Sequence, residues 1–523
     1  MATITKSDGS GSDGAASARP MLTVHCPADG SVAGEVPIHS AAEVREVAAA
    51  LRAAQPAWAA LGFAGRAAVM RRWRDWFLDN SGRIGAIVQR ETGKSWSDTG
   101  AEVPVAVEVI NYYAKHAEAF LAPEQRRPHS PAMAAKRLSL EYSPHQLVGA
   151  ITPWNGPIGV PMLDIPAALM AGCAVLTKPS EFTPLAWTEC VRGWAEIGAP
   201  PVLGNVTGAG ETGAAVVDAV DMIQFTGSAR TGRRIAARCG ERLIPCGLEL
   251  GGKHPMVVLA DADLERAANG AVFGAFFNSG QICVSVERVY VVDAVYDAFL
   301  TKVLEKTRAL RVGMEDAGTI AFDYGAMANE AQLDIVKRHV ADAIAKGAKV
   351  LTGGRERADG LFYEPTVLVD VDHTMDCMRE ETFGPTLPIM RVADADEAVR
   401  LANDSPYGLS ASVWTTDRVT GDTVASQLEA GAVNVNDVYI NLFQMGLPQG
   451  GWGESGLGGG RLGGAEGIRK FCRAKAVTST RIAPKAEVQW YPATSLKAQL
   501  QARGVRMLGA GDWRRRLGLK PRG

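Results

Sequence analysis

The spacing of hydrophobic residues predicts helices first and strands later in the chain. From Ala41 to Leu121, apolar residues recur three and four positions apart, as in VREVAAALRAAQPAWAALG and VAVEVINYYAKHAEAFL. This spacing is typical of packed amphipathic helices. A Pro-bearing stretch at 122–135 follows, and then RLSLEYS at 137–143 alternates polar and apolar positions. Alternation of this kind indicates a half-exposed strand, which we expect to pair outside the main core.

Short apolar runs then alternate with helical segments. Strands that alternate with helices predict a parallel sheet, in which ligands bind beyond the carboxyl ends of the strands. A second set of strands and helices follows, so we predict two α/β domains. The first set has LVGAI (147–151), AVLTK (174–178), VLGNV (202–206), MIQF (222–225) and RLIPCGLE (242–249); the second has MVVLA (256–260), helices near 294–309 and 330–346, and AVNVN (432–436).

Composition narrows the class of protein. A chain of 523 residues that is 47% hydrophobic can bury a large core, and 55 basic against 57 acidic residues leave no chain-wide positive field for nucleic acid. The eight cysteines are scattered, with no CxxC pair and no Cys/His cluster, which favours a reduced cytoplasmic protein without a bound metal. Residues 1–21 resemble no targeting signal, and we expect a disordered extension there. The sequence has no stretch of about twenty uncharged apolar residues, so we predict no membrane span.

Two residues are candidates for covalent chemistry. Cys283 lies in a Gly-containing turn within FFNSGQICVSVERVYV, although a lone cysteine is more often inert core. Glu249 ends an apolar strand in RLIPCGLELGGKHP, where a carboxylate is costly unless it is protonated or has a role. The alternative for Glu249 is a carboxylate satisfied by backbone amides.

Loops after the predicted strands carry further polar candidates. Asn155 lies between two prolines in ITPWNGPIGVP, where it could cap the next helix or aim its amide at an oxyanion. Lys178 and Glu181 in LTKPSEFTP follow a strand end, where they could meet phosphate and ribose. Gly227 and Ser228 in QFTGSARTG could seat a pyrophosphate on a helix N-terminus. Each is also compatible with an ordinary turn, and GAGETG at 208–213 is a weak GxGxxG match.

Taken in order, PWN, KPSE, FTGS, ELGGK, GQIC and EETFGP closely resemble the aldehyde dehydrogenase superfamily from about residue 22 to about residue 480. The resemblance implies that Cys283 attacks an aldehyde, that Asn155 and the Cys283 N–H hold the oxyanion, and that Glu249 activates water for thioester hydrolysis. It implies NAD as cofactor, with NADP as an alternative, because Glu181 would repel a 2′-phosphate. The implied cofactor contacts are Ile151, Thr152, Pro153, Trp154, Lys178, Ser180, Glu181, Gly210, Phe225, Thr226, Gly227, Ser228, Leu250, Glu381 and Phe383.

The resemblance also implies a substrate class. The segments around the glutamate and the cysteine look most like bacterial succinate-semialdehyde dehydrogenases, yet members that bind that carboxylate use arginines where this chain has Leu163 and Phe277. We therefore expect an apolar or aromatic aldehyde, with Leu163, Phe277, Ile282 and Phe443 as tunnel walls. The semialdehyde is one alternative. A relative that transfers the acyl group to coenzyme A is another, against which Glu249 argues, and a non-catalytic binding protein is a third.

The implied architecture is the α/β aldehyde dehydrogenase fold. It has a Rossmann-like NAD(P)-binding domain at 22–125 and 145–250, a catalytic α/β domain at 251–473, and a small oligomerisation flap of strands at 126–144 and 474–490. Dimers or tetramers are expected. The tail at 491–523 is basic and interleaved with apolar residues. It could pack across the oligomer or make a weak contact with an anionic membrane surface.

Overall fold

The computed structural model describes residues 2–5, 19–457 and 461–519. At the start of the chain, β1 (Ala2–Thr5), β2 (Met21–His25) and β3 (Val32–Pro37) form an antiparallel sheet in that order. The expectation of disorder over 1–21 is therefore wrong for residues 2–5 and for Met21. The β-branched sequence TIT suits a strand, and its backbone pairs with β2. Residues 6–18 lie outside the described residues.

The predicted helical region is confirmed. The first helix begins with a capping box, in which the Ser40 hydroxyl accepts from the Glu43 amide and the Glu43 carboxylate accepts from the Ser40 amide. Its apolar face buries Val44, Leu51 and Trp58. The helices are α1 (Ala41–Ala60), α2 (Gly62–Asp79), α3 (Ser81–Thr92), α4 (Trp96–Thr99) and α5 (Glu102–Leu121).

The first α/β set forms a six-stranded sheet in the order β20-β10-β9-β6-β7-β8, parallel except for β20. One predicted boundary was wrong, because residues up to Arg242 belong to α9 and Leu243 ends that helix in the left-handed conformation. The elements are β6 (Leu147–Ile151), α6 (Gly159–Ala171), β7 (Ala174–Lys178), α7 (Leu185–Glu196), β8 (Leu203–Asn205), α8 (Gly210–Ala219), β9 (Met222–Thr226), α9 (Ala229–Arg242), β10 (Cys246–Glu249) and β20 (Gly456–Leu457).

The second set forms a seven-stranded sheet in the order β13-β14-β15-β12-β11-β17-β18, with only β13 antiparallel. Its strands are β11 (His254–Val258), β12 (Val286–Val292), β13 (Lys349–Thr352), β14 (Thr366–Val369), β15 (Thr386–Val392), β17 (Ser410–Trp414) and β18 (Ala432–Val435). Its helices are α10 (Leu264–Phe276), α11 (Tyr296–Arg308), α12 (Glu330–Ala345), α13 (Asp376–Arg379), α14 (Ala395–Asn403), α15 (Arg418–Gln427) and α16 (Ile440–Phe443). A further helix, α17 (Gly464–Arg469), packs against α6 of the first set. A two-residue ladder joins β16 (Tyr407–Gly408) to β19 (Trp452–Gly453).

The contacts within the chain separate it into two compact units. The larger unit, 1–118 and 144–471, contains both main sheets, and its predicted division into cofactor and catalytic domains at residue 250 stays a proposal. The smaller unit, 119–143 and 472–523, has a three-stranded sheet in the order β21-β5-β4. Its elements are β4 (Glu124–Arg126), β5 (Lys136–Pro144), β21 (Cys472–Thr480), α18 (Ser495–Gly509) and α19 (Trp513–Arg516).

The tail in the smaller unit is helical and exposes apolar side chains, including Leu496, Leu500 and Met507 on α18. Its suggested contact with a membrane surface stays a prediction, as does packing across an oligomer. None of the helices in the described part of the chain has both the length and the apolar character that a membrane span requires.

Candidate active site

The topology of the first sheet creates a crevice. The chain leaves β6 to form β7 and β8 on one side and returns to form β9 on the other side, so connections run in opposite directions from the ends of β6 and β9. Ligands bind at such switch points in parallel sheets. Pro153, Trp154 and Asn155 follow β6, while Gly227 and Ser228 follow β9, and all five line one cavity of about 330 Å³.

The candidate nucleophile and the candidate oxyanion amide lie on that cavity and are tied together. Asn155 Nδ2 donates to the Gln281 carbonyl at 2.9 Å, and Asn278 Nδ2 donates to the carbonyls of Asn155 and Gln281, both at 3.1 Å. These bonds hold Asn155 against the turn that leads to Cys283. Asn155 does not cap the next helix, because α6 begins after Ile158 with no side-chain cap. Its predicted role toward an oxyanion stays a prediction.

The turn before Cys283 needs its unusual sequence. Asn278 and Ser279 have φ of 54° and 58°, and Gly280 has φ of 71°. A Cβ on Gly280 would lie 2.3 Å from the Gly384 carbonyl oxygen, so only glycine fits. A left-handed backbone at non-glycine residues is strained and concentrates at functional sites. The packing between this turn and the EETFGP segment thus fixes where Cys283 lies.

Glu249 lies on the same cavity at the end of β10. Its Oε1 is buried and has no hydrogen-bond partner among the described residues, so backbone amides do not satisfy it there. A Cβ on Gly450 would come within 3.5 Å of Oε1, and the glycine leaves that space open. Burial raises the pKa of Glu249 well above its ordinary value, while Lys470 lowers it and Asp164 raises it. A raised pKa makes Glu249 a stronger base than an exposed carboxylate once it is ionised.

Buried charges around the cavity were not identified from the sequence. Asp164 and Lys470 form a buried ion pair at 2.6 Å, and so do Lys94 and Glu102, also at 2.6 Å. Asp164, Lys94 and Glu102 all line the cavity. The signal for Asp164 was present, because it is the one charged residue of the apolar helix GVPMLDIPAALMA. The ion pairs themselves join residues distant in sequence and could not be predicted from local patterns.

The predicted cofactor residues divide into two groups. Pro153, Trp154, Thr226, Gly227, Ser228, Leu250, Glu381 and Phe383 line the cavity together with the three catalytic candidates. The others lie outside its lining: Ile151, Thr152, Lys178, Ser180, Glu181, Gly210 and Phe225.

Two of the predicted cofactor residues, Lys178 and Ser228, also make local contacts. Lys178 is buried at the end of β7, where Nζ donates to the Pro179 carbonyl at 2.6 Å and lies 3.7 Å from Glu181 Oε2. Burial lowers the pKa of Lys178. Ser228 caps α9, since its hydroxyl accepts from the Thr231 amide at 3.4 Å. A cap and a phosphate site are compatible at one helix N-terminus.

The predicted tunnel residues Leu163, Phe277, Ile282 and Phe443 all line the cavity. Phe277 stacks on Phe273, with ring centroids 5.2 Å apart, and so forms a rigid wall. Sequence reasoning missed further apolar lining at Val105, Val160, Leu442 and Leu462. Their side chains come from four separate elements and loops. The cavity beside Cys283 is therefore walled mainly by hydrocarbon.

Comparison with known proteins agrees with this geometry. A family model described as "Aldehyde dehydrogenase family" matches residues 15–477. The chain belongs to the aldehyde dehydrogenase family. A Mycobacterium tuberculosis relative, provisionally named succinate-semialdehyde dehydrogenase, NADP(+), is 40% identical over 423 residues, which are 80% of this chain and 81% of the relative. The 4,4'-diapolycopene aldehyde oxidase of a Methylomonas species is 39% identical over 414 residues, 78% of this chain and 77% of that protein.

Solved structures show the same aldehyde dehydrogenase fold. An NAD-dependent aldehyde dehydrogenase from Sinorhizobium meliloti has a TM-score of 0.84 at 34% identity. The match covers 90% of this chain and 93% of the Sinorhizobium chain. A Mycobacterium tuberculosis aldehyde dehydrogenase complexed with NAD+ has a TM-score of 0.82 at 34% identity. That match covers 87% of this chain and 94% of the other chain. The predicted fold class and superfamily are confirmed, and the protein is an enzyme. The roles of individual site residues stay predictions.

The environment of Cys283 generates a prediction about pH. Burial, followed by the charges of Glu249 and Glu381, raises the pKa of the Cys283 thiol to about 12. The thiol is then protonated at neutral pH. As long as the pH stays below that pKa, each increase of one pH unit raises the thiolate fraction about tenfold. Without cofactor, modification of Cys283 by iodoacetamide should therefore become faster throughout the neutral and alkaline range, measured by peptide mass spectrometry. Cys283→Ser gives the background, and a plateau at or below neutral pH would contradict the prediction.

Proposed function

We propose that this enzyme oxidises an apolar or aromatic aldehyde to the carboxylic acid, with NAD or NADP, through a thioester on Cys283. The observation that supports the proposal is the convergence of Cys283, Asn155 and Glu249 on one cavity with mostly apolar walls. We also propose a cytoplasmic homo-oligomer, a dimer or a tetramer, as the resemblance implies.

The reaction begins with attack on the aldehyde carbon. The Cys283 thiolate forms the C–S bond, and the carbonyl electrons move to oxygen. The Asn155 amide and the Cys283 backbone N–H donate to that oxyanion, and loss of one such donor typically costs about 10²- to 10³-fold in rate. Because burial raises the pKa of the Cys283 thiol, the thiol must lose its proton before it attacks.

The second stage converts the adduct to product. The nicotinamide of the bound cofactor supplies the acceptor for the hydride that leaves the former aldehyde carbon. The acyl group is then a thioester on Cys283. Glu249 takes a proton from water, the water oxygen attacks the acyl carbon, and the C–S bond breaks to release the acid and the thiolate.

The residues present fit a dinucleotide. Thr152 Oγ1 is buried after β6 with no hydrogen-bond partner among the described residues, and α9 offers a 14-residue helix whose N-terminus faces the crevice. Lys178 and Glu181 would hold the adenosine ribose, Ser228 the pyrophosphate, and Glu381 and Phe383 the nicotinamide end. Ile151, Ser180, Gly210 and Phe225 would complete the backbone and walls of this site.

The substrate class rests on the cavity walls. A carboxylate in an apolar tunnel without a partner is costly. By the family resemblance, Leu163 and Phe277 stand where members that bind succinate semialdehyde would carry arginine, and both line the cavity. The name of the Mycobacterium relative favours the semialdehyde alternative, whereas the Methylomonas relative is named an oxidase of 4,4'-diapolycopene aldehyde. The apolar walls agree with the second.

An aldehyde panel tests the substrate class. We expect kcat/KM for an apolar aldehyde such as benzaldehyde or decanal to exceed that for succinate semialdehyde by about tenfold or more, since each buried unpaired charge costs more than 1.4 kcal/mol. Leu163→Arg should narrow or reverse this ratio, while the matched control Leu163→Met should keep it. A wild-type preference for succinate semialdehyde would refute the apolar assignment. NAD(P)H absorbance is the readout.

The role of Glu249 is tested by separating the two half-reactions. Glu249→Gln removes the base for thioester hydrolysis, so a rapid burst of NAD(P)H, about one per active site, should persist while steady turnover falls about 10²- to 10⁴-fold. Stopped-flow absorbance measures both phases. Loss of the burst would show that Glu249 is required to activate the thiol. Faster steady turnover of the wild type with added coenzyme A would instead support the acylating alternative.

Cofactor preference is a separate prediction. Glu181 lies beside Lys178 at the predicted ribose site, where its carboxylate would repel a 2′-phosphate. Glu181→Ser should therefore raise kcat/KM for NADP relative to NAD by about tenfold, a change of about 1.4 kcal/mol. The Mycobacterium relative is named for NADP, whereas Glu181 favours NAD, so this test decides between the two expectations. An unchanged ratio would mean that other residues set the preference.

A further inference from the structure

A buried ion pair lies directly behind the EETFGP segment. Lys253, the last residue of ELGGK, donates from Nζ to Glu287 Oε2 at 2.5 Å. The exposed fractions of the two side chains are 0% and 6%. Lys253 also donates to Thr382 Oγ1 at 3.2 Å. Neither Lys253 nor Glu287 lines the cavity, so neither has a part in the chemistry proposed above.

The Glu287 carboxylate holds the backbone of the predicted nicotinamide site. Its Oε2 accepts from the Thr382 amide at 2.8 Å, and its Oε1 accepts from the Phe383 amide at 2.7 Å. Phe383 has φ of 50°, a left-handed conformation that a bulky residue rarely adopts. The two charge-assisted hydrogen bonds stabilise the backbone in that conformation. The Phe383 ring consequently lies edge to face with Trp154, with centroids 5.4 Å apart.

The same network reaches the loop that carries Glu249. Glu381 Oε1 accepts from the Gly252 amide at 2.8 Å, and a Cβ on Gly251 would lie 2.2 Å from Glu381 Oε2. The backbone carbonyl of Lys253 accepts from Arg288 Nη2 at 2.8 Å. Lys253 is therefore fixed at its backbone and at its side chain. Lys253 thereby fixes the position of the segment 381–383 relative to the loop 249–253.

We infer that Glu287, paired with Lys253, is a positioning residue that sets the nicotinamide end of the cofactor site by holding the Thr382 and Phe383 amides. The inference rests on the proposed cofactor role of Glu381 and Phe383. Lys253 neutralises the buried carboxylate, which would otherwise be costly beside Glu381. A buried ion pair that only stabilised the fold would not affect one end of a dinucleotide more than the other.

The experiment compares ligands that reach different parts of the site. Glu287→Gln keeps the side-chain volume but turns an NH₂ donor toward either a backbone amide or Lys253. We expect the Kd of NAD or NADP, whichever the wild type binds more tightly, to rise about tenfold by calorimetry. The Kd of AMP, or of 2′,5′-ADP for an NADP enzyme, should change less than about twofold because neither contains nicotinamide. The KM of the dinucleotide should rise in parallel.

Two variants keep the test interpretable. Glu265 forms exposed ion pairs with Lys302 and Lys306 on the surface of the second set of helices, so Glu265→Gln is a matched control with no expected effect on either Kd. Glu287→Asp retains the charge and should recover part of the dinucleotide affinity. If Glu287→Gln does not fold, Glu287→Asp must still weaken the dinucleotide more than AMP for the inference to stand.

The outcomes separate this inference from the proposed function. Equal weakening of AMP and dinucleotide, or no weakening of either, overturns the positioning role of Glu287 while leaving the proposed function intact. Selective loss of dinucleotide affinity supports it. A wild type that binds neither NAD nor NADP would overturn the proposed function, and this inference with it.

Discussion

Burial of charge at the junction of the two main sheets is the constraint on which the site depends. Glu249, Asp164, Lys470, Glu287 and Lys253 are all nearly inaccessible to water. Charges in such places persist only when they are paired, hydrogen-bonded or protonated. Lys470 pairs with Asp164 and Lys253 pairs with Glu287, whereas Glu249 Oε1 has no hydrogen-bond partner in the described part of the chain. Burial is the main reason why the pKa of Glu249 is raised, and the nearby charge of Lys470 only partly offsets it.

The same burial explains why the Cys283 thiol does not ionise readily. Removal of water and the nearby carboxylates raise the pKa of Cys283, so its thiol is ionised less readily than an exposed thiol. Desolvation at the same time strengthens the donors that would meet an oxyanion, because electrostatic interactions are stronger in a medium of low dielectric constant. One physical effect thus restrains the nucleophile at rest and favours the charged adduct once the aldehyde is attacked.

The sequence alone predicted the alternation of strands and helices and the positions of Cys283, Glu249 and Asn155. Those residues sit in local patterns, at strand ends and in turns, that short segments can encode. It did not predict the pairs Asp164–Lys470 and Lys253–Glu287, because they join residues brought together only by the order of strands and the packing of α6 and β12. Residues 2–5 were expected to be disordered for a related reason, since their strand exists by pairing with β2 and not by its own length.

Identifying the covalent species on the protein tests the central claim most directly. Glu249→Gln protein is mixed with aldehyde and cofactor, quenched in acid after the burst, and digested for peptide mass spectrometry. The account predicts that the peptide carrying Cys283 gains the mass of the aldehyde less two hydrogens, the acyl thioester, and that Cys283→Ser in the same background gains nothing. A burst of reduced cofactor with no acyl group on Cys283, or with the acyl group on another residue, would contradict it.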